Sequence, residues 1–321
     1  MSAYLFIATQ TVVYPVNRLC HVLAVATSSY YAWQKSLAVL AADTTMTATT
    51  ATATAATAAT ATAATAAKSE TWEQALARIF AAHKGRYGAR RLHAELQAEG
   101  YAVGRYRVGK ALARLALTAR QPRAFKPRTT FSETGPGLAP NRLLQRAKPM
   151  APDQVWVSDI TYLPLKNGAW AYLAAYSDAF TRRVVGWHVM ETMPEELVRT
   201  ALQRAILLRE PAQGLIVHSD RGGQYCATKV RELLTGKGLL ASMSRAGDCY
   251  DNAQAESLWS RLKTELLDEG AAFDDLAHAQ REVATYFDYY NHRRRHSALA
   301  YQCPQTFENQ FQLKTIANCP D

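Results

Sequence analysis

Cysteine is scarce in this chain and carries no pattern. Its 321 residues include five, Cys20, Cys226, Cys249, Cys303 and Cys319, with no Cys-x-x-Cys pair among them. An odd, irregular set argues against a disulfide scaffold and fits a reducing cytosol. Long apolar runs are missing as well. The one long uncharged tract, Thr44 to Ala67, alternates Ala and Thr, residues too weakly hydrophobic for a convincing membrane span. The opening Met-Ser-Ala-Tyr-Leu-Phe-Ile-Ala lacks a basic n-region and a full apolar core, so no signal peptide is expected. These absences predict a soluble, cytoplasmic protein without a membrane partner.

Acidic residues are also scarce in one place. Residues 68–150 hold seventeen basic and five acidic side chains, a net +12, whereas residues 151–321 hold eighteen and twenty-one, a net −3. A basic block beside a mildly acidic remainder is the footprint of a polyanion-binding module joined to something else. A merely solvated basic surface explains the charge equally well, so chemistry has to come from motifs.

The chain divides by pattern. Residues 1–43 read as an N-terminal helical segment: Leu19, Leu23 and Val25 give one apolar face, and Thr27 or Ser28 is placed to cap a second helix bearing Tyr30, Tyr31 and Trp33. A helix-turn-helix and a small dimerisation hairpin fit it equally. Residues 44–67, the Ala/Thr tract, fit a loose low-complexity linker or a marginal helix, and the linker is favoured. Residues 68–119 read as a helical DNA-binding domain, with helices from Thr71 to Phe80, Ala89 to Ala98, and Gly104 through Leu112 and Leu115. Arg105, Arg107, Lys110 and Arg114 line the third, as groove or phosphate contact requires. Residues 120–150, rich in Pro, Arg and Lys, form a basic connector that either follows DNA or stays disordered without it.

From residue 151 the period changes. Strands are expected at Val155–Leu163, Trp170–Asp178 and Arg183–Val189, with Lys166-Asn167-Gly168 as the first hairpin turn. A helix from Pro194 to Leu208 follows, then a strand at Leu215–His218, a helix at Tyr225–Lys237, a strand at Leu239–Met243 and a helix at Asp251–Leu267. The fold class is therefore α/β. The order βββαβαβα predicts a ribonuclease H-like catalytic core over residues 151–270, a mixed five-stranded sheet with flanking helices, preceded by the all-α segments. A C-terminal helix and basic tail take residues 271–321. In that topology the first and fourth strands are neighbours.

Three acids carry the chemistry. Asp159 and Asp220 each close an apolar run, and Glu256 lies in a helical stretch. Mg²⁺ is a hard cation that takes oxygen ligands, usually one or two carboxylates with water and substrate phosphate. Two such ions about 3.5–4 Å apart stabilise the attacking and leaving oxygens of an in-line displacement. Crowded carboxylates otherwise repel and raise one another's pKa, which favours cation binding. Lys263 lies seven residues after Glu256, two helical turns along the same face, where it can meet a phosphate or pair with Glu256 or Glu265. Asn252 precedes Glu256 near a helix start, and His218 lies two residues before Asp220, as supporting groups. His218 either orients a carboxylate or water or caps its strand. His292 and His296 stand at i, i+4, but no third zinc ligand is near, so structural or DNA-contact roles are favoured.

Four segments now carry a resemblance: Trp156-x-x-Asp159-Ile-Thr-Tyr, His218-Ser-Asp220-Arg-Gly-Gly-Gln-Tyr225, Ser244-x-x-Gly247-x-x-x-Asp251-Asn-Ala-x-x-Glu256-Ser and Tyr290-Asn-x-x-Arg-x-His296-Ser-x-Leu299. Together they resemble the integrase core of insertion-sequence transposases, in particular the OrfB product of the insertion sequence 3 family, relatives of retroviral integrases. His83-Lys84-x-Arg86-Tyr87-Gly88-x-Arg90-Arg-Leu resembles the helical DNA-binding segment before that core, and Cys20 to Trp33 the family's N-terminal stretch. The resemblance implies that Asp159, Asp220 and Glu256 bind two Mg²⁺, with Mn²⁺ able to substitute, and that Lys263 assists. It implies cleavage at the element's ends to free a 3′-hydroxyl, attack by that hydroxyl on another phosphodiester, and later integration. Expected partners are double-stranded DNA (terminal inverted repeats and target), a second or further copy of the chain, and the upstream OrfA product or a fused OrfAB form. Location would be the bacterial cytoplasm, in association with the nucleoid. Expected DNA contacts are Arg86, Arg90, Arg91, Arg105, Arg107, Lys110, Arg114, Arg123, Lys126, Arg128, Lys263, Arg293, Arg294 and Arg295.

The chain departs from the family pattern in three places. Arg295 replaces a usual proline, Gly104 a usual Ser or Asn cap, and the Ala/Thr insert lengthens a short junction. None touches the acids. Two rival readings remain: a nuclease acting on RNA–DNA hybrids or junctions, and a non-catalytic DNA-binding regulator of transposition.

Overall fold

The computed structural model describes residues 70–121, 138–144, 148–245, 253–267 and 271–317, together with Val16, Thr27, Tyr30 and Tyr31. The chain separates into two units, Met1–Ser69 and Glu70–Asp321. In the first, Tyr30 and Tyr31 are helical, with rings edge to face at 5.5 Å. The rest of the expected N-terminal helix pair and the Ala/Thr tract lie outside the described residues.

The second unit begins with three helices, α1 (Trp72–Ala82), α2 (Ala89–Ala98) and α3 (Arg105–Arg114). Thr71 caps α1 through a capping box, its hydroxyl accepting from the Gln74 N–H while the Gln74 side chain accepts from the Thr71 N–H. Helical spacing buries Leu76 and Ile79 of α1, Leu92 and Leu96 of α2, and Val108 and Leu112 of α3 against one another. The third helix, expected to run through Leu115, ends at Arg114, and Leu115 is its 40 % exposed C-cap.

The sheet follows: β1 (Val155–Pro164), β2 (Trp170–Asp178), β3 (Val184–Met190), β4 (Ile216–Ser219) and β5 (Leu240–Met243). Its order is β3-β2-β1-β4-β5, with β1–β2 and β2–β3 antiparallel and β1–β4 and β4–β5 parallel. This is the ribonuclease H-like arrangement that the element order predicts. Alternate residues of β2 serve opposite faces: Leu173 and Ala175 join one core, Ala174 and Tyr176 the other. One face is covered by α4 (Glu195–Arg209), α5 (Gly223–Cys226) and α6 (Thr228–Gly236), the other by α7 (Ala253–Leu266) and α8 (Leu276–His292). The single helix expected at Tyr225–Lys237 is two, because Ala227 is extended and supplies the carbonyl that starts α6. A last helix, α9 (Pro304–Ala317), leans on α8.

The helical segment shares its core with α7 and α8. Polar contacts close the seam: His83 Nδ1 meets the Tyr289 hydroxyl at 3.0 Å, and the Arg86 Nε donates to the Glu265 carbonyl at 2.9 Å. Arg295 donates its backbone N–H to the Tyr87 hydroxyl at 2.7 Å and its guanidinium to Glu95 at 2.7 Å. Against burial, which pushes it up, bonds from His83 and Arg295 hold the Glu95 carboxyl down at about 2.

Candidate active site

The parallel β1–β4 register ends at Val157 opposite His218. Two residues further along both chains lie Asp159 and Asp220, so the strand pairing itself sets the two carboxylates side by side. Asp220 directly follows β4. Asp159 stands mid-strand, because the hairpin with β2 runs on to Pro164. Burial, then the charge of Asp220 and more weakly that of Glu256, push the Asp159 carboxyl up to about 7. Burial also raises Asp220, against a bond from the Gly222 N–H, and burial raises Glu256 on the exposed start of α7. Lys263 is lowered by burial, while Asp159 pulls it upward; its ammonium lies 4.9 Å from the centre of the Tyr162 ring. All four expected catalytic residues therefore act on one locality.

Three further groups there had no role assigned from sequence, although Tyr162 and Tyr225 belong to the motifs that hold the two aspartates. Tyr162 is the platform under Lys263. Trp259 is buried with its indole N–H beside Asp159, where it favours the charged carboxylate without closing a hydrogen bond. Its spacing, three after Glu256 and four before Lys263, is the helical signal that places it. Tyr225 is buried behind the two aspartates, its hydroxyl 2.9 Å from that of Ser158.

A hard divalent cation fits this donor set. The side chains offer oxygen only, and the mutual repulsion that lifts Asp159 is relieved by positive charge. Among the described residues no three His, Cys, Asp or Glu form a ready-made metal cage. Two paired carboxylates, with Glu256 at the rim, match a cation that completes its shell with water and substrate phosphate.

The supporting and DNA-contact residues sort differently. His218 braces β4 to β5, its ring nitrogens 2.9 Å from the Ser242 hydroxyl and 3.2 Å from that of Ser244. On α3, Arg105, Arg107, Lys110 and Arg114 are exposed; Arg107 stacks on Trp72, Lys110 on Tyr106, and Arg114 pairs with Glu73 at 2.5 Å. Arg90 and Arg293 are exposed too. Arg294 is not available to DNA: it is fully buried, with Glu265 accepting from it at 2.7 and 2.5 Å. Arg86 is spent on the Glu265 carbonyl and the Tyr289 ring, and Arg295 on Glu95, so both serve the seam. Arg91 is half-buried, 3.8 Å from Glu265. The His292–His296 pair does not form. His292 bonds Asp288, while burial and four neighbouring arginines push His296 down to about 2. Asn252, Arg123, Lys126 and Arg128 lie outside the described residues.

A ribonuclease H-like sheet with paired acids on adjacent strands, fronted by a basic helical segment, is the build of a polynucleotidyl transferase acting on DNA. Residues 149–249 and 237–304 match integrase core domain models, and residues 69–125 an HTH-like domain. The chain is 39% identical over 241 residues to the transposase for insertion sequence element IS904 of Lactococcus lactis subsp. lactis, covering 74% of this chain and 94% of that one. It is 34% identical over 312 residues to transposase InsF for insertion sequence IS3A of Escherichia coli, covering 95% and 98%. A 31 kDa uncharacterized protein of insertion element IS600 from Shigella sonnei is 42% identical over 226 residues, or 70% of this chain and 82% of that one. The chain belongs to the integrase-core transposases of insertion sequences. Among solved structures it is similar to the HTLV-2 integrase catalytic core in complex with magnesium, with 16% identity and a TM-score of 0.39 over 50% of this chain and 98% of that one. No helix among the described residues is long and apolar enough to cross a membrane.

Proposed function

We propose that the chain binds the terminal inverted repeats of its element, cleaves there to expose a 3′-hydroxyl, and joins that hydroxyl to a second phosphodiester. The juxtaposition of Asp159 and Asp220 by the β1–β4 pairing, with Glu256 and Lys263 presented from α7, carries this reading. Asp159, Asp220 and Glu256 would hold two Mg²⁺, or Mn²⁺ in their place, which when bound lower the cost of charge on the attacking and leaving oxygens. Lys263, held on Tyr162, would take a phosphate oxygen of the strand being cut. Trp259 would keep the Asp159 carboxylate oriented. His218 would fix the strand that delivers Asp220, and Asn252 would support the start of α7.

DNA would be gripped by the exposed α3 row, Arg105, Arg107, Lys110 and Arg114, with Arg90, Arg293 and the connector's Arg123, Lys126 and Arg128. Such contacts supply salt-dependent affinity, and base contacts from α3 would supply end selection. Bringing two ends together calls for a dimer or larger assembly on DNA. An OrfA product or fused OrfAB form would be a natural partner.

Asp220→Asn removes a ligand charge while keeping the side chain's shape. With labelled element ends and Mg²⁺, joining is expected to fall by at least about three orders of magnitude, the scale of losing a main transition-state contact. End binding should persist in a gel shift. Joining that survives the change would sink the two-metal reading, and cutting of RNA–DNA hybrids without joining would favour the nuclease.

A further inference from the structure

α7 carries charge on two opposite flanks. Glu256 and Lys263 are seven residues apart on one. Gln254 and Arg261, also seven apart, lie about 200° around the helix from them, at ~100° per residue. This second flank borders a cavity of about 130 Å³ formed with Arg91 of α2, Ser177 of β2, Arg182 of the β2–β3 turn and His296 beyond α8. The cavity is well below the roughly 300–1,000 Å³ of sites that enclose a whole small molecule.

Its charge is only partly compensated: Glu265 stands 3.8 Å from Arg91, and Asp178 acts on Arg182 from beyond ion-pair distance. Among the described residues, no carboxylate is within ion-pair distance of Arg182 or Arg261. The acid nearest Arg91, Glu265, is already engaged by Arg294 at 2.5 Å and stands 3.8 Å away. Burial, and for Arg91 the neighbouring Arg294, depress the pKa of both Arg91 and Arg182. His296 is held neutral here and does not add charge. Ser177 and Ser257 bring hydroxyl donors to the same space, while the Gln254 amide that borders it already donates to the Asp178 carbonyl at 3.3 Å. Two guanidinium groups without an ion-paired acid, Arg182 and Arg261, beside the weakly paired Arg91 and small hydroxyl donors, make a receptor for a tetrahedral oxyanion.

We propose that this cavity binds one backbone phosphate of the DNA on which the transposase acts, on the flank of α7 opposite the acids. The proposal rests on the DNA-joining reading above. Glu256 and Arg261 are both exposed, so DNA lying across α7 is within reach of both flanks, which the helix diameter of ~10–12 Å separates, and its backbone is the phosphate source at hand. A phosphate held there would fix which step of the strand lies at the carboxylates. It would carry no sequence information, since phosphates are alike at every step.

The test uses the full chain, fluorescent duplexes of element-end and scrambled sequence, and Arg182→Gln and Arg261→Gln variants checked by thermal melting. Each variant is expected to bind both duplexes more weakly. The slope of log affinity against log salt should fall by about 0.9, the value for one phosphate contact. Wild-type protein that joins ends, beside folded variants whose salt slope is unchanged, overturns the cavity assignment and leaves the joining reading intact. Wild-type protein that neither binds nor joins DNA overturns both. Inorganic phosphate is the other arm. If it raises the melting temperature of wild type but not of Arg182→Gln, while the DNA slope stays the same, the site is one for free phosphate and the proposal fails. Should Arg182→Gln not fold, Arg261→Gln, on an exposed helix position, decides alone.

Discussion

Asp159 ties the site to the stability of the fold. Its carboxyl is lifted from the ordinary 3.8 to about 7, by burial and then by Asp220. A folded-state pKa above the unfolded one means that folding takes up a proton between those values. Below about 3.8 the group is neutral in both states and costs nothing. The cost grows as pH rises through the window and is complete above about 7. Asp159→Asn should therefore raise the melting temperature of metal-free protein at pH 8 and leave it unchanged at pH 4, by about 2–4 °C for each kcal/mol of relieved repulsion. Mg²⁺ should stabilise wild type at pH 8 and the variant much less. Equal melting of the two proteins at pH 8 would mean that the carboxylates do not strain the fold. The two aspartates and Glu256 were legible in the sequence because each sits in a motif whose chemistry requires an acid. The parts played by Trp259 and Tyr162 were not: spacing or motif places each near the acids, but in one dimension an aromatic there reads equally as core.

At the scale of elements, periodicity carried most of the fold. Strand alternation placed β1 to β3 within a residue or so of where they lie, and the Lys166–Gly168 turn was marked by Gly168, whose φ of 83° suits glycine. The break at Ala227 left no trace, since alanine signals nothing. Nor does sequence show the close approach of strand and helix at Gly186. A Cβ on Gly186 of β3 would lie 2.4 Å from the Ala201 carbonyl oxygen and 2.6 Å from the Ala205 Cβ of α4. Gly186 is there so that strand and helix can approach, and the obstacle is backbone that cannot swing aside. Gly186→Ala is expected to cost about 1–3 kcal/mol, the usual range for overpacking, read as a lower urea midpoint at unchanged m-value. A midpoint within error of wild type would show that α4 shifts on the sheet without cost and that the close approach at Gly186 is not needed.

At the scale of the molecule, the expected division of labour among the arginines changed most. Sequence grouped Arg86, Arg294 and Arg295 with the DNA contacts, because charge density says where cations are but not which way they face. Folding instead turns Arg86, Arg294 and Arg295 into the seam that joins the helical segment to α7 and α8, and buries Arg294 completely on Glu265. That pair is fixed further by the Tyr286 hydroxyl, which donates to Glu265 at 3.2 Å. A buried ion pair adds little over an apolar pair of the same shape, yet removing one partner strands the other's charge. Arg294→Met should thus destabilise the full chain by about 3–5 kcal/mol. The double change Glu265→Leu with Arg294→Met should recover much of that loss, short of all of it, because Tyr286 loses its acceptor. If the seam seats the helical segment, the single variant should also expose α1 to α3 to protease before the sheet is cut. A single variant as stable as wild type, or a double variant no better than the single, would show that the apolar contacts of Leu76, Leu92 and Tyr286 hold the segment and that Arg294 only fills space.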